Sequence, residues 1–455
     1  MRVARVALIR LHGRLVGATG HPRNPRPPWT LAYLEALLLR DGRYGVRFHD
    51  QLTHPLPGAR LAAWLGRWAP QVVVLQVTTL DLDALAEATA VIAALPERPV
   101  VLAVGQALAL GTLPGVDLCL PGEAEERALG VIADLDAGRP VAPAGDGPAL
   151  VEHPSRLPPP SWDRARLAAY PMHYPLRLAA RARWGHLLTG RGCPGGCLFC
   201  SPVTRESYGT RLRLREPGEI LAEVRALAAL GVNVLSLDDD DFTASREHVL
   251  AFCEGLAGAA PGMRWICHAR LDDLDASLME RMAAAGCVLL RFGVEAAAPR
   301  VLRILHKTQR EDWEDLAKEV FHRARALGMA TTALVLLGNP DETLEEAQRS
   351  IALARALQPD MVQFHYFTPY PGSPAFTRWR EHIPPAAVPS LYHYRAPPVN
   401  LSRMSDEELA AIHGAAYRRV LLRPAFALAH LRTYAPFYRH NPGVLLDLLP
   451  QRSAR

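Results

Sequence analysis

Short β-prone runs alternate with helix-patterned stretches through most of this 455-residue chain, and that rhythm limits its fold more than any other feature. Residues 4–9, 44–49, 72–77, 100–104 and 116–120 read as strands. Helical patterns fall at 29–39, at 81–95 and from Glu123. Alternation of this kind gives a parallel sheet with helices on both faces. Open sheets of this type bind ligands beyond the carboxyl ends of their strands. The loops there carry Thr78 and Thr79, Gly105 and Gln106, and Gly122 and Glu123. Residues 141–163 then turn rich in Pro, Gly and Ala and end in three consecutive prolines, which suit neither a helix interior nor a central strand.

From Trp184 a second series begins, with strands near 184–189, 233–238, 263–268, 287–293, 329–336 and 361–367 and helices between them. Six βα units suit a partial (β/α)6 barrel of the TIM type, whose chemistry sits on the loops after the strands. Ser405-Asp406-Glu407-Glu408 opens a helical C-terminal region as a capping box. The fold class is therefore α/β. Residues 1–140 form a doubly wound sheet, 141–180 a proline-rich linker, 181–385 the partial barrel and 386–455 a helical region. The last, rich in Arg, Tyr, Phe and Leu, is expected to lid the barrel, cover its floor or touch a membrane surface.

The loop after the first barrel strand reads Gly192-Cys193-Pro194-Gly195-Gly196-Cys197-Leu198-Phe199-Cys200. Three thiolates are one fewer than a structural zinc or a four-cysteine iron–sulfur cluster requires. One metal position is then open to a cofactor or substrate. The competing readings are three buried cysteines that happen to be neighbours, or a zinc loop. Zinc recruits a fourth Cys or His at short regular spacing, and His268 and Cys253, farther along the chain, do not offer one.

Composition narrows the class without choosing it. A net charge of +5 is mild for this length and gives no argument for nucleic acid. Seven cysteines, an odd number with three clustered, speak against a secreted disulfide framework. No signal-peptide pattern and no run of about twenty apolar residues is present. The expected compartment is the reducing cytoplasm.

The Cys-x3-Cys-x2-Cys spacing with Phe199 before the third cysteine resembles the signature of radical S-adenosylmethionine enzymes. The resemblance implies a [4Fe-4S] cluster on Cys193, Cys197 and Cys200, with S-adenosylmethionine chelating the fourth iron and yielding a 5'-deoxyadenosyl radical on reduction. It also implies an electron donor such as flavodoxin or ferredoxin. Further elements follow in family order. Asp238-Asp239-Asp240-Asp241-Phe242 offers Asp239 or Asp240 to the ammonium of S-adenosylmethionine; the alternative is a solvated acidic turn. Gly293-Val294-Glu295 keeps the family's glutamate, whereas the usual Ser-Gly-Ser after it is Ala296-Ala297-Ala298. Gly338-Asn339-Pro340-Asp341-Glu342-Thr343 and Tyr370-Pro371-Gly372-Ser373-Pro374 resemble the family's later turns. Arg213 and Arg215 resemble an Arg-x-Arg stretch; as bare sequence they read equally as surface arginines.

An α/β sheet before such a barrel resembles the cobalamin-binding subclass, on Gly122-Glu123-Ala124-Glu125 and Pro28-Trp29 through Leu34. That subclass places cobalamin on the first sheet with the corrin toward the barrel. The loops of Thr78, Thr79, Gly105, Gln106, Gly122 and Glu123 are then its lining. The Asp-x-His-x-x-Gly element of free-standing cobalamin domains is absent; Asp50-Gln51-Leu52-Thr53-His54 stands in its place. The resemblance implies C-methylation of an unactivated carbon in a small-molecule or lipid-like substrate. The same cofactors also serve cyclisation, rearrangement or oxidation without methyl transfer. An iron–sulfur protein that does not cleave S-adenosylmethionine is the reading from a different class.

Overall fold

The computed structural model describes residues 2–13, 25–78, 81–105, 108, 111, 113–141, 149–174, 176, 182–200, 209–391, 399–421 and 423–441. In the first sheet the strands are β1 (Arg5–Arg10), β2 (Gly45–Asp50), β3 (Val72–Gln76), β4 (Val100–Val104) and β5 (Leu118–Leu120). All are parallel, in the order β2-β1-β3-β4-β5. Helices α1 (Trp29–Asp41), α2 (Gly58–Trp68), α3 (Leu82–Ala93) and α4 (Glu125–Asp136) cover it. The run Val72-Val73-Val74-Leu75 has no polar side because both faces are covered. Val72 and Val74 pack with Leu31, Leu34 and Ile132 of α1 and α4. Val73 and Leu75 pack with Leu61, Leu65 and Leu85 of α2 and α3. Helix α2 is absent from the sequence expectations, although Leu61, Trp64, Leu65 and Trp68 recur at helical spacing and pack on the sheet. The strand order reverses between β1 and β3, so the crevice of the doubly wound sheet opens there.

After a short helix α5 (Arg164–Ala168), the second sheet takes β6 (Trp184–Leu187), β9 (Val234–Leu237), β10 (Arg264–Ala269), β11 (Cys287–Glu295), β12 (Ala330–Leu337) and β13 (Met361–Tyr366). Its order is β13-β12-β11-β10-β9-β6, all parallel, which is an open six-stranded barrel. Strand β6 stops at Leu187, earlier than the sequence suggests. The chain turns there so that β7 (Gly190–Arg191) pairs antiparallel with β8 (Arg213–Leu214). Helices α6 (Pro217–Ala229), α7 (Arg246–Ala259), α8 (Ala276–Ala284), α9 (Pro299–Ile304), α10 (Trp313–Ala326) and α11 (Leu344–Leu357) wrap the outside. Met172, Tyr174, Trp184, Ile266 and Leu289 close the barrel floor.

A short helix α12 (Pro374–Arg378) precedes α13 (Asp406–Leu421) and α14 (Pro424–His440). Ser405 and Glu408 form the reciprocal cap of α13. Helix α13 shields the edge strand β13: Tyr417 Oη accepts from Phe364 N at 3.1 Å, and His413 Nε2 meets Phe364 O at 3.0 Å. An uncovered edge would be open to pairing with another chain. Helix α14 bends at Tyr434, two residues before Pro436, and its end reaches the floor, where Phe437 and His440 face Tyr174 and Trp184 across a cavity. These helices therefore cover an edge and the floor. Among the described residues no helix is long and apolar enough to cross a membrane.

Candidate active site

The carboxyl ends of both sheets point at one another, and charged side chains stitch them together. Arg26, from the segment after β1, places Nη2 2.7 Å from His268 Nε2 of β10 and Nε 3.9 Å from Asp238 beyond β9. In the other direction Arg191, just before the cysteine loop, reaches Glu123 at 3.2 Å and Glu125 at 3.0 Å beyond β5. Arg213 also holds Glu123, through Nη1 at 2.8 Å and through Nη2. The Arg191 guanidinium stands 5.0 Å from the centre of the Tyr33 ring of α1. Arg215 pairs with Glu223 at 2.8 Å. Arg213 and Arg215 are buried, so the surface reading of these arginines fails.

The cysteine loop is pinned on both sides of its middle residue. Leu198 N donates to Leu305 O at 2.9 Å, and Ala375 N donates to Leu198 O at 3.0 Å. Phe199 packs against the barrel core. Arg270, immediately after β10, directs Nη1 to Cys197 Sγ at 3.7 Å and Nη2 to Lys307 O at 3.0 Å. Burial, with the Asp241 and Asp240 carboxylates, pushes the Cys193 thiol up to about 11. Three thiolates beside these acids need a cationic core to be stable. Gly195 leaves room for one. A Cβ there would stand 3.3 Å from Cys193 Sγ and 3.9 Å from Cys197 Sγ. Cys193 and Cys197 thus border room for a compact iron–sulfur core, although no three Cys, His, Asp or Glu side chains converge on a single metal-ion position among the described residues. His268 does not join the cysteines; it meets Arg26 instead.

The four-aspartate turn divides its work. Asp238 is buried between His186 Nδ1 at 3.0 Å and Ser236 Oγ at 2.7 Å. Burial alone would raise its carboxyl, but His186, Arg26 and those hydrogen bonds outweigh it and hold it well below the usual range. Asp239 accepts from Thr189 N at 3.1 Å and from Thr189 Oγ1 at 2.8 Å, which ties β9 to the start of the cysteine loop. Its burial raises it to about 7. Asp241 accepts from Thr243 N and Oγ1 at 3.1 and 2.8 Å. Asp240 is the least buried of the four. At the end of β11, Glu295 faces Lys307 Nζ at 3.4 Å, and burial raises its carboxyl against that pull. A Cβ at Gly293 would fall 2.1 Å from Glu295 Oε1, so only glycine admits this pair. Sequence reasoning missed Arg26, Arg270 and Lys307. Arg270 had a signal, its place directly after a barrel strand. Lys307 follows a helix and had none.

On the first sheet Asp81 joins two loops, accepting from Gly13 N at 2.9 Å, Thr78 N at 2.9 Å and Thr78 Oγ1 at 2.6 Å. Gln76 Oε1, at the end of β3, is buried with no hydrogen-bond partner among the described residues. Gly105 has φ +109, and a Cβ there would lie 2.6 Å from Val77 O. This crevice, with a close backbone approach and an orphaned acceptor, fits a large ligand laid over the strand ends. Gly122 also has positive φ and bridges to Ala149. His54 is exposed. Thr79 and Gln106 lie outside the described residues. Gly105→Ala is expected to cost about 1–3 kcal/mol through backbone strain and the clash with Val77, read as a lower melting temperature.

An open βα barrel with a three-cysteine loop after its first strand, faced by a doubly wound sheet, defines the architecture of a radical S-adenosylmethionine enzyme of the two-sheet type. Residues 187–354 match the Radical SAM superfamily, and the chain is a radical S-adenosylmethionine enzyme, a class that uses a [4Fe-4S] cluster and S-adenosylmethionine. An uncharacterized methyltransferase of Pyrococcus horikoshii is 24% identical over 438 residues, covering 90% of each chain. An anaerobic magnesium-protoporphyrin IX monomethyl ester cyclase of Rubrivivax gelatinosus is 26% identical over 430 residues, 88% of this chain and 74% of that one. The fold is that of the radical S-adenosylmethionine methyltransferase TsrM from Kitasatospora setae, solved with cobalamin and a [4Fe-4S] cluster bound. The TM-score is 0.65 at 19% identity, over 84% of this chain and 75% of that one.

Proposed function

We propose that this enzyme binds cobalamin on its first sheet and methylates an unactivated carbon of a small-molecule or lipid-like substrate held in the barrel mouth. The observation that carries the reading is the facing of the two carboxyl-end surfaces, locked by Arg26 on one side and the Glu123–Arg191–Arg213 cluster on the other. A ligand over β1, β3 and β4 then looks into the barrel. When bound, the cluster with S-adenosylmethionine supplies a hydrogen-abstracting radical, and cobalamin supplies a transferable methyl group.

In this reading Cys193, Cys197 and Cys200 hold the cluster and Arg270 screens the Cys197 sulfur. Asp240 receives the ammonium of S-adenosylmethionine, and Glu295, oriented by Lys307, takes a hydroxyl or amine of the same molecule. Asp239 and Glu123 act at one remove. Asp239 positions the cysteine loop through Thr189, and Glu123 positions it through Arg191. Thr78, Gly105 and Gly122 border the corrin. The interlocking of the two halves keeps water from the space between them.

The test needs no knowledge of the substrate. Anaerobically reconstituted enzyme, loaded with cobalamin and a reductant, is given methyl-labelled S-adenosylmethionine. Labelled methylcobalamin and S-adenosylhomocysteine are the expected products. Bound cobalamin that never takes up label would refute the methyl-transfer reading. It would favour the second reading, radical cyclisation or oxidation with the same cofactors, which the Rubrivivax cyclase relative supports. Failure to bind cobalamin at all would remove both.

A further inference from the structure

Among the described residues, a deeply buried cation in the barrel lacks a counter-ion within hydrogen-bonding reach. Arg291 of β11 is 5% exposed, and its Nη1 donates to Tyr174 Oη at 2.6 Å. Its Nε and Nη2 have no partner among the described residues. These two nitrogens share one edge of the guanidinium, the edge that takes both oxygens of a carboxylate. A buried polar group left open in this way calls for an explanation.

The strands on either side shape what that edge meets. Parallel register sets His268 of β10 and Thr332 of β12 level with Arg291. Their neighbours in sequence, Cys267, Leu290, Phe292 and Ala333, belong to the core packed beneath the helices. The His268–Arg291–Thr332 row therefore faces the barrel interior. Thr332 Oγ1 is also without a partner among the described residues. His268 accepts from Arg26 through Nε2, so the ring is neutral and its other nitrogen is a donor. Asp238, whose charge reaches Arg291, is already taken by His186 and Ser236.

We propose that this row is a binding site for a carboxylate of the substrate, held two-pronged by Arg291 with Thr332 and His268 beside it. The inference deepens the proposed function and rests on its reading of the barrel as the reaction chamber. Arg291 and Glu295 are four residues apart on β11, about 13 Å along a strand. The substrate is therefore elongated, with its acid group near the floor and its reacting carbon toward the cysteine loop. A monoanion fits better than a phosphate dianion. The nearby Arg26 guanidinium is already bonded to His268, and its side chain is 40% exposed.

The test is calorimetric titration of cluster-reconstituted enzyme with sodium butyrate, n-butanol or inorganic phosphate at constant ionic strength. Wild type is compared with Arg291→Met and Arg291→Lys. Butyrate is expected to bind saturably, at least tenfold more weakly to Arg291→Met, with Arg291→Lys between. Butanol is expected not to bind. In carboxylate-free buffer Arg291→Met is expected to melt no lower than wild type, because it removes an uncompensated buried charge. Four results overturn the proposal: no saturable butyrate binding to wild type; equal binding to Arg291→Met; phosphate binding tighter than butyrate; or a lower melting temperature in Arg291→Met with butyrate binding unchanged, the mark of a purely structural arginine. None of these readouts involves methyl transfer, so this site and the proposed function fail independently.

Discussion

Alanine in place of any one of Cys193, Cys197 or Cys200 is expected to leave an anaerobically reconstituted protein with little iron or sulfide and at least about 1000-fold less cleavage of S-adenosylmethionine. A step whose radical chemistry belongs wholly to the cofactor has no slower route through side chains. The fold should survive. The loop is pinned through the backbone of Leu198, to Leu305 and Ala375, and the Arg270 contact to Cys197 Sγ is long, at 3.7 Å. Melting temperatures of the cluster-free variants are therefore expected to match that of cluster-free wild type. Iron and sulfide assays, absorbance and 5'-deoxyadenosine yield measure the rest. A variant that kept its iron with one sulfur gone would show that the loop is not a three-thiolate site. Gly195→Leu supplies the control that leaves all three sulfurs in place. Its side chain would enter the space beside Cys193 and Cys197, and cluster content is expected to drop as well.

How much of this was legible beforehand follows from the range of each interaction. Strand direction and barrel count are consequences of local pattern. Runs such as Val72-Val73-Val74-Leu75 and Cys287-Val288-Leu289-Leu290 can only be strands covered on both faces, and helices between strands force parallel pairing. The cysteine loop was legible because its chemistry lies within eight residues. The acidic turn was half legible. Four consecutive aspartates announce a cation, but Thr189, His186, Thr243 and Arg26 divide them, and those partners come from elsewhere in the chain. Arg213 and Arg215 read as surface residues because their partners, Glu123 and Glu223, cannot be assigned from spacing. Arg291 was invisible for the same reason. A lone arginine in an apolar strand carries no sign of whether it points to helices, to solvent or into a barrel.

Glu123→Ala is expected to be the most damaging single change away from the cysteine loop. Its carboxylate accepts from Val151 N at 2.6 Å and is shared by Arg191 and Arg213, with all three side chains buried. Removing it takes from both Arg213 and Arg191 a carboxylate that each holds, while Arg191 keeps Glu125. Taking one partner from a buried ion cluster costs about 3–5 kcal/mol, because the remaining charge stays desolvated. Arg213→Met should cost less, since Glu123 keeps Arg191 and the Val151 amide. The double variant Glu123→Ala with Arg213→Met tests the cause. If the loss comes from a stranded charge, the pair recovers stability relative to the sum of the single changes, by about 1–2 kcal/mol. Purely additive losses in denaturant midpoint would mean that packing, not charge, is what the glutamate contributes. The cluster also bears on catalysis through position. Arg191 is two residues before Cys193, so loosening its hold on Glu123 frees the cysteine loop from the first sheet. Under the proposed function, cobalamin retention and S-adenosylmethionine cleavage are then expected to fall together in Glu123→Ala, and to stay low in the double variant even where stability recovers, because Arg191 still lacks Glu123.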